Sequence, residues 1–226
     1  MNENLQMTTD LFGKTLSRLT EMVERGVAHI KIGRGLGKMI NEDPAIYHVA
    51  PAFWGMSMTA HLDAAQLIAF KLFDPRQGTM TVEYLLNRAE ELMSSFGNAT
   101  AGQVEEVIKI ARRQVASLHD PLKKIRAKRN RVLAHVDPSM VSSPEKLAKQ
   151  VELTFSDLKL LVFGFGGQIL NDVSLAFRGA SQVFELFGAD DYEMVFSLIA
   201  DAKCAQIRSY EAEFRRWDHL RPKKCP

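Results

Sequence analysis

The most informative part of the chain reads Arg126-Ala127-Lys128-Arg129-Asn130-Arg131-Val132-Leu133-Ala134-His135-Val136-Asp137-Pro138. Steps of three and four residues separate Leu122, Ile125, Arg129, Val132 and Val136, so these side chains share one face of a predicted helix. Arg129 therefore takes a place where an aliphatic side chain would pack better. Because a buried charge without a partner costs several kcal/mol, Arg129 needs a carboxylate, a second subunit or a bound phosphate.

The ends of this helix are predicted from its flanking residues. Asp120-Pro121 fits an N-cap followed by proline at the first helical position. Pro138 disfavours helical geometry at the residue before it, so the helix is expected to end just after His135. On an ideal helix, the side chains of Arg129 and His135 point about 120° apart. They converge only if the helix loosens after Leu133 or if a second chain bridges them.

The order of Arg129, Asn130 and His135 resembles the Arg-polar-x-x-x-x-His motif of the HEPN superfamily. Five residues separate the arginine from the histidine, one more than in the commonest form, and Arg131 stands as an alternative arginine. Four further stretches, within roughly the first three quarters of the chain, are similar to the abortive-infection, AbiU-like branch of that superfamily: Phe53-Trp54, His61-Leu62-Asp63, Leu72-Phe73-Asp74-Pro75 and Leu133-Ala-His-Val-Asp137.

The resemblance implies a metal-independent RNA endonuclease with a composite site at a homodimer interface, acting in phage defence or as a toxin. Arg129 would meet the phosphate, Asn130 would orient the scissile group, and His135 would act as general acid or base. RNA carries its own nucleophile, the 2′-hydroxyl, so this chemistry requires no metal. The implied partners are RNA, a second copy of the chain, and an antitoxin or another regulatory protein.

Two other functions remain open at the level of the sequence. One is a non-catalytic HEPN-like module that binds RNA, a nucleotide or a protein partner. The other is a helical dimerisation protein whose basic helix is incidental. The first would keep Arg129 and tolerate the loss of His135, whereas the second would tolerate the loss of both.

A run of basic residues surrounds the motif without any acidic residue among them, and it is predicted to contact the RNA backbone: Lys123, Lys124, Arg126, Lys128 and Arg131. Runs of this kind are also common on solvated helix faces, which is the alternative interpretation. The whole chain carries a net charge of only +2, so any nucleic-acid surface must be local.

Composition restricts the remaining classes. The 226 residues, 46% hydrophobic and 25% charged, suit a soluble protein with a sizeable core. The histidines and the two cysteines show no metal-ligand spacing, so neither a metal nor a cofactor is predicted. His29 and His61 are interpreted as core or boundary residues. The polar N-terminus and the lack of an eighteen-residue apolar run predict no membrane span and a cytoplasmic location.

Apolar residues recur at three- and four-residue steps almost throughout, which predicts an all-α, HEPN-like bundle of about six to eight helices in a single domain. The domain is expected to cover residues 1–220, followed by a disordered tail at 221–226. A flexible segment or break is predicted at the glycines of residues 33–37. Helix starts are predicted near Thr9, at Thr79 or Thr81, at Thr100, at Ser143-Pro144 and at Asp190.

Overall fold

The computed structural model describes residues 3–42, 44, 51–74, 78–130 and 153–181. Within these residues it contains six helices and no strand, which confirms the all-α prediction. The helices are α1 (Glu3–Glu42), α2 (Pro51–Leu72), α3 (Val82–Glu91), α4 (Ala101–Ser117), α5 (His119–Lys128) and α6 (Phe155–Arg178), with a short 3₁₀ turn at Met93–Ser95. The predicted helix starts at 143–144 and 190, the domain end at 220 and the tail lie outside the described residues.

The first helix organises the bundle. It packs most extensively on α2 and also contacts α3 and α6. α4 packs against α3 and α6, and α5 lies against α2 and α4. The interior is filled by fully buried aliphatic side chains, among them Leu16, Leu19, Leu85, Leu86, Leu158, Leu161 and Leu170. Their burial supplies most of the stability, because each buried side chain of this size contributes about 1.5–3 kcal/mol.

Of the flexible helix segment or break predicted at the glycines of residues 33–37, the break is wrong, because α1 continues through them to Glu42. Packing explains the glycine at position 33. A Cβ atom added to Gly33 would lie 2.7 Å from Cζ of Phe155 and 3.5 Å from Cβ of His61. Gly26, seven residues earlier on the same helix, would likewise place a Cβ 2.7 Å from Val162 Cγ1. These two glycines therefore let α2 and α6 approach α1 closely.

Local capping signals set two of the helix starts. The Thr81 side chain accepts a hydrogen bond from the backbone N–H of Tyr84 at 3.2 Å, as predicted for one of the two alternative threonines. Thr100 and Gln103 form a reciprocal capping box at the start of α4. Such caps depend on residues within one turn of each other, so they can be identified without knowledge of the tertiary fold.

The predicted start of α5 is wrong by a small shift. The helix begins at His119, and Leu118 rather than Asp120 occupies the N-cap position, without a side-chain cap. Leu118 is only 2% exposed, and its carbonyl oxygen accepts the backbone N–H of Leu122 at 3.0 Å. Burial of this leucine fixes the junction with α4, so the tertiary contact overrides the local Asp-Pro signal. Only one residue joins the two helices.

The last described helix contains a wide π-helical segment at Leu160–Gly167. Within it, a Cβ on Gly166 would lie 3.4 Å from Leu72 and 3.5 Å from Val23, so this glycine lets α1 and α2 pack closely against α6. By length and composition α6 could cross a membrane, although no span was predicted. Half of its most apolar window is buried inside the bundle, as in the core helix of a soluble protein.

Candidate functional site

One stripe of α2 holds the motif helix α5 in place. Asp63, Gln66 and Phe70 are spaced by three and four residues, so they lie on one side of α2. The Lys128 ammonium donates a hydrogen bond to Asp63 Oδ1 at 3.0 Å. The side chains of this pair are only 17% and 27% exposed. Lys128, predicted to bind RNA, is therefore engaged in an intrachain ion pair that ties the end of α5 to α2.

The motif arginine stacks on an aromatic ring of the same stripe. The guanidinium carbon of Arg129 lies 4.7 Å from the centroid of the Phe70 ring. A cation–π contact of this kind contributes about 0.5–2 kcal/mol, depending on how far the cation is desolvated. Phe70 is 7% exposed, so the ring forms a fixed platform rather than a mobile surface group. The contact holds the guanidinium against α2.

Arg129 is half-buried and lacks a carboxylate partner among the residues that the structure describes. Its one hydrogen bond there runs from Nη1 to Oδ1 of Asn130 at 3.2 Å, and Asn130 is exposed. Arginine has five N–H donors, so most of its donor capacity is unused within the described chain. The described residues thus provide no carboxylate for Arg129, which leaves room there for a bound phosphate or a second subunit, the other partners considered from the sequence.

The backbone widens where the motif begins. Arg129 and Asn130 form a π-helical turn after the last α-helical residue, Lys128. Single π turns inside α-helices are rare and occur often at functional sites, because they change the direction of the side chains beyond them. Any loosening of the helix after Leu133, one of the two ways in which Arg129 and His135 could converge, lies outside the described residues, and so do Arg131 and His135. The roles assigned to Arg129, Asn130 and His135 stay predictions.

The rest of the basic run is arranged around a single buried anchor. Ile125 is 2% exposed, whereas Lys123, Lys124 and Arg126 are exposed. Hydrogen bonds with Thr154 lower the pKa of Asp157, and the positive charge of Lys124 lowers it further. Lys124 is therefore close to the start of α6. Three of the five predicted RNA contacts thus face solvent on α5.

A buried amide lies between the two contacts that hold α5. Gln66 is 2% exposed, and in the part of the chain that the structure describes neither its Oε1 nor its Nε2 has a hydrogen-bond partner. Leaving a buried polar group unsatisfied costs about 1–3 kcal/mol. Sequence reasoning missed this residue, because its burial depends on the packing of α2 against its neighbours. The sequence did contain one signal: Gln66 lies three residues after Asp63 and four before Phe70, which puts this polar side chain on the same face of α2.

The structure also joins two histidines that were interpreted separately. Nδ1 of His29 on α1 lies 2.9 Å from Nδ1 of His61 on α2, and the ring centroids are 5.2 Å apart. These distances place the two nitrogens nearly on the line between the rings, as in a direct N–H···N hydrogen bond. Burial lowers the pKa of both histidines, and the His61 ring lowers that of His29 further.

No group of three or more metal-ligating residues occurs in the described part of the chain.

Comparison with known proteins identifies a family for the chain. No curated protein and no solved structure matches the chain. The model of the HEPN_AbiU2 family, described as AbiU2, matches residues 47–196, about two thirds of the chain. The matched segment contains α2 with its stripe, the motif helix α5 and all three motif residues. The chain therefore belongs to the HEPN_AbiU2 family, the AbiU-like abortive-infection branch of the HEPN superfamily.

Proposed function

We propose that the protein is a metal-independent RNA endonuclease whose site combines Arg129, Asn130 and His135. The observation that supports this most directly is the state of Arg129: half-buried, stacked on Phe70, and without a carboxylate among the described residues. Arginine forks match phosphate oxygens in a bidentate geometry and keep their charge at every physiological pH. A stacked guanidinium with open donors is suited to receive a phosphodiester.

The proposed reaction uses the 2′-hydroxyl of RNA as the nucleophile. It attacks the neighbouring phosphorus, the 5′-oxygen leaves, and a 2′,3′-cyclic phosphate forms. Arg129 stabilises the negative charge on the phosphorane, and Asn130 orients the scissile group through its amide. His135 accepts the proton of the 2′-hydroxyl or donates one to the leaving 5′-oxygen, because histidine is the side-chain type whose unperturbed pKa lies nearest neutrality. Proton transfer and charge stabilisation are both supplied by side chains, so the activity should persist in EDTA.

One chain contributes one motif histidine, whereas this cleavage benefits from both a base and an acid. A two-fold homodimer with α5 at or beside the interface would bring two copies of His135 and Arg129 together. The exposed residues Lys123, Lys124 and Arg126 would extend the basic surface along the RNA backbone. Arg131 is proposed to join them. We place the protein in the cytoplasm, in phage defence or as a toxin, with an antitoxin or regulator as a further partner.

The decisive experiment compares wild type with His135→Ala on single-stranded RNA and examines the cleaved ends. We expect His135→Ala to lose about 10²–10⁴-fold in rate while it keeps RNA binding, because acid–base help acts on the rate. His119→Ala is the matched control, since His119 is an exposed histidine at the start of α5. Equal cleavage by wild type and His135→Ala would refute the assignment.

The second candidate is a non-catalytic module that binds RNA, a nucleotide or a protein partner. The same stacked arginine favours it, because Phe70 and Asn130 position a phosphate-binding group without any need for His135. The longer spacing between Arg129 and His135 also favours it. RNA binding without cleavage by either wild type or His135→Ala would select this candidate. Absence of RNA binding would reject the nuclease and the RNA-binding form of this second candidate.

A further inference from the structure

Packing of the bundle does not explain why a glutamine occupies position 66. Both polar atoms of its side chain are buried and unpartnered. Buried amides in folded proteins are nearly always hydrogen-bonded, and exceptions are concentrated where function requires them. A leucine at this position would fill similar space without an unsatisfied amide. The chain nevertheless has glutamine there, on the stripe of α2 that carries the motif helix.

The location of Gln66 connects it with Arg129. Gln66 precedes Phe70 by four residues, so the two side chains are neighbours on α2, with Cβ atoms about 5–6 Å apart. The guanidinium of Arg129 lies directly over the Phe70 ring. On the other side, Asp63 precedes Gln66 by three residues and binds Lys128. The amide therefore lies in the row of α2 residues over which Lys128 and Arg129 pass.

The two groups are chemically complementary. Arg129 donates one hydrogen bond, to Asn130, and has four further N–H groups that bond to nothing in the described chain. Gln66 has an amide oxygen that accepts nothing. A hydrogen bond between them would form if the long glutamine and arginine side chains rotated toward each other. Such a bond would occupy the inner N–H groups of the guanidinium and leave the outer pair for an anion.

We infer that Gln66 is a positioning residue for Arg129. Its Oε1 accepts a hydrogen bond from the guanidinium when a phosphate group is bound, and it thereby directs the outer N–H pair toward the phosphate oxygens. The inference rests on the proposed role of Arg129 as a phosphate ligand. The ligand class is a phosphodiester of single-stranded RNA, and inorganic phosphate shares the same chemistry.

The test uses Gln66→Leu, Arg129→Ala and the double variant, with Gln114→Leu as the matched control. Gln114 on α4 also has an unpartnered buried oxygen, but it lies away from the stripe. Thermal unfolding without ligand should show Gln66→Leu as stable as wild type or more stable, because an apolar group replaces an unsatisfied one. Affinity for a single-stranded RNA oligonucleotide should fall about tenfold, as expected for one hydrogen bond to a charged group.

The double-mutant cycle separates positioning from general packing. In the Arg129→Ala background, Gln66→Leu should cause no further loss of affinity, because the two residues act through one contact. Gln114→Leu should leave affinity unchanged in both backgrounds. An equal loss from Gln66→Leu with and without Arg129 would overturn the inference, and so would marked destabilisation without ligand.

A second probe distinguishes this inference from the proposed function. Inorganic phosphate should raise the unfolding temperature of wild type, and both Gln66→Leu and Arg129→Ala should reduce that increase. If phosphate behaves in this way but RNA does not bind, the RNA proposal fails and the positioning role stands. If RNA binds and Gln66→Leu matches wild type throughout, the positioning role fails alone. If neither ligand binds, both fail.

Discussion

Arg112 on α4 and Arg129 on α5 are both partly buried, yet their guanidinium groups are used differently. Arg112 donates to Glu83 at 3.2 Å, to Asn87 at 2.7 Å and to Glu90 at 2.8 Å, and these residues all lie on α3. Hydrogen bonding by Glu90 raises the pKa of Arg112, and the same bond lowers the pKa of Glu90. Within the described residues, Arg129 has one hydrogen bond, to its neighbour Asn130, and a contact with the Phe70 ring.

The difference shows how an arginine uses its N–H donors when it crosslinks two helices. A structural arginine fills its donors with acids from the adjacent element, as Arg112 does. Arg129 also contacts an adjacent helix, but the contact leaves its charge uncompensated within the described residues. Lys128, one residue earlier, already supplies the ion pair that attaches α5 to α2. The charge of Arg129 is thus not required for that attachment.

The largest expected effect tests this comparison directly, through alanine substitution of each arginine. Arg129→Ala should lower kcat/KM for RNA cleavage by about 10²-fold or more, since loss of one donor to a developing oxyanion costs about 10²–10³-fold in related chemistry. Arg112→Ala should leave kcat/KM within about twofold and change stability by at most about 1 kcal/mol, as for exposed ion pairs. Single-turnover cleavage and urea denaturation measure the two quantities. Similar losses of activity in both variants would contradict the distinction.

The next effect concerns the ion pair that attaches α5 to the bundle. Asp63→Asn should destabilise the protein by about 1–2 kcal/mol, between the values for exposed and buried pairs. The reason is that Lys128 loses its carboxylate in a site where it is only 17% exposed. Urea denaturation at constant pH gives the free energy of unfolding. Glu106→Gln, which removes an exposed pair with Lys109 on α4, is the control and should change little.

A smaller effect distinguishes lysines that bind RNA from the lysine that binds Asp63. Lys124→Ala should lower the slope of log affinity against log salt by about 0.7, the value for one phosphate contact on a single strand. Lys128→Ala should reduce stability and change the slope less, because its charge is already paired. Fluorescence anisotropy across a salt series measures both slopes. An equal change of slope in the two variants would mean that Lys128 contacts the RNA as Lys124 does.

The smallest expected effect is the pH dependence of stability that comes from the pair His29 and His61. The pKa values of His29 and His61 are lowered in the folded state, below the ordinary 6.5, so the unfolded state binds more protons in acid. The stability they contribute is therefore complete above pH 6.5 and is lost as pH falls through their folded pKa values.

Urea denaturation at neutral and mildly acidic pH should show this loss in wild type. The double variant His29→Leu, His61→Leu should show less of it, whereas His119→Ala, at an exposed site, should resemble wild type. A pH dependence that is unchanged in the double variant would assign the acid effect to other groups.

Local signals allowed much of the fold to be predicted. Apolar periodicity predicted the all-α class, and Thr81 and Thr100 predicted two helix starts. The errors occurred where distant residues decide: Phe155 accounts for Gly33 inside α1, and burial of Leu118 shifts the start of α5.

The candidate site divides in the same way. Arg129 and Asn130 were identified from their spacing, and the need of Arg129 for a partner was inferred from the apolar face. The pairing of Lys128 with Asp63 spans 65 positions in the chain, so no local pattern predicts it. The contact of Phe70 with Arg129 and the burial of the Gln66 amide likewise depend on how α2 packs against α5.

The π-helical segment at Leu160–Gly167 has a consequence for changes in chain length. Removal of one residue from a helix rotates the remainder of that helix by about 100°. A one-residue deletion before Gln168 would therefore turn the rest of α6, where Ile169, Leu170 and Val173 are at most 1% exposed. Those side chains would leave the core unless the wide turns tightened to α-helical ones and absorbed the lost residue. Insertions and deletions among relatives should accordingly be concentrated at this segment rather than elsewhere in α6.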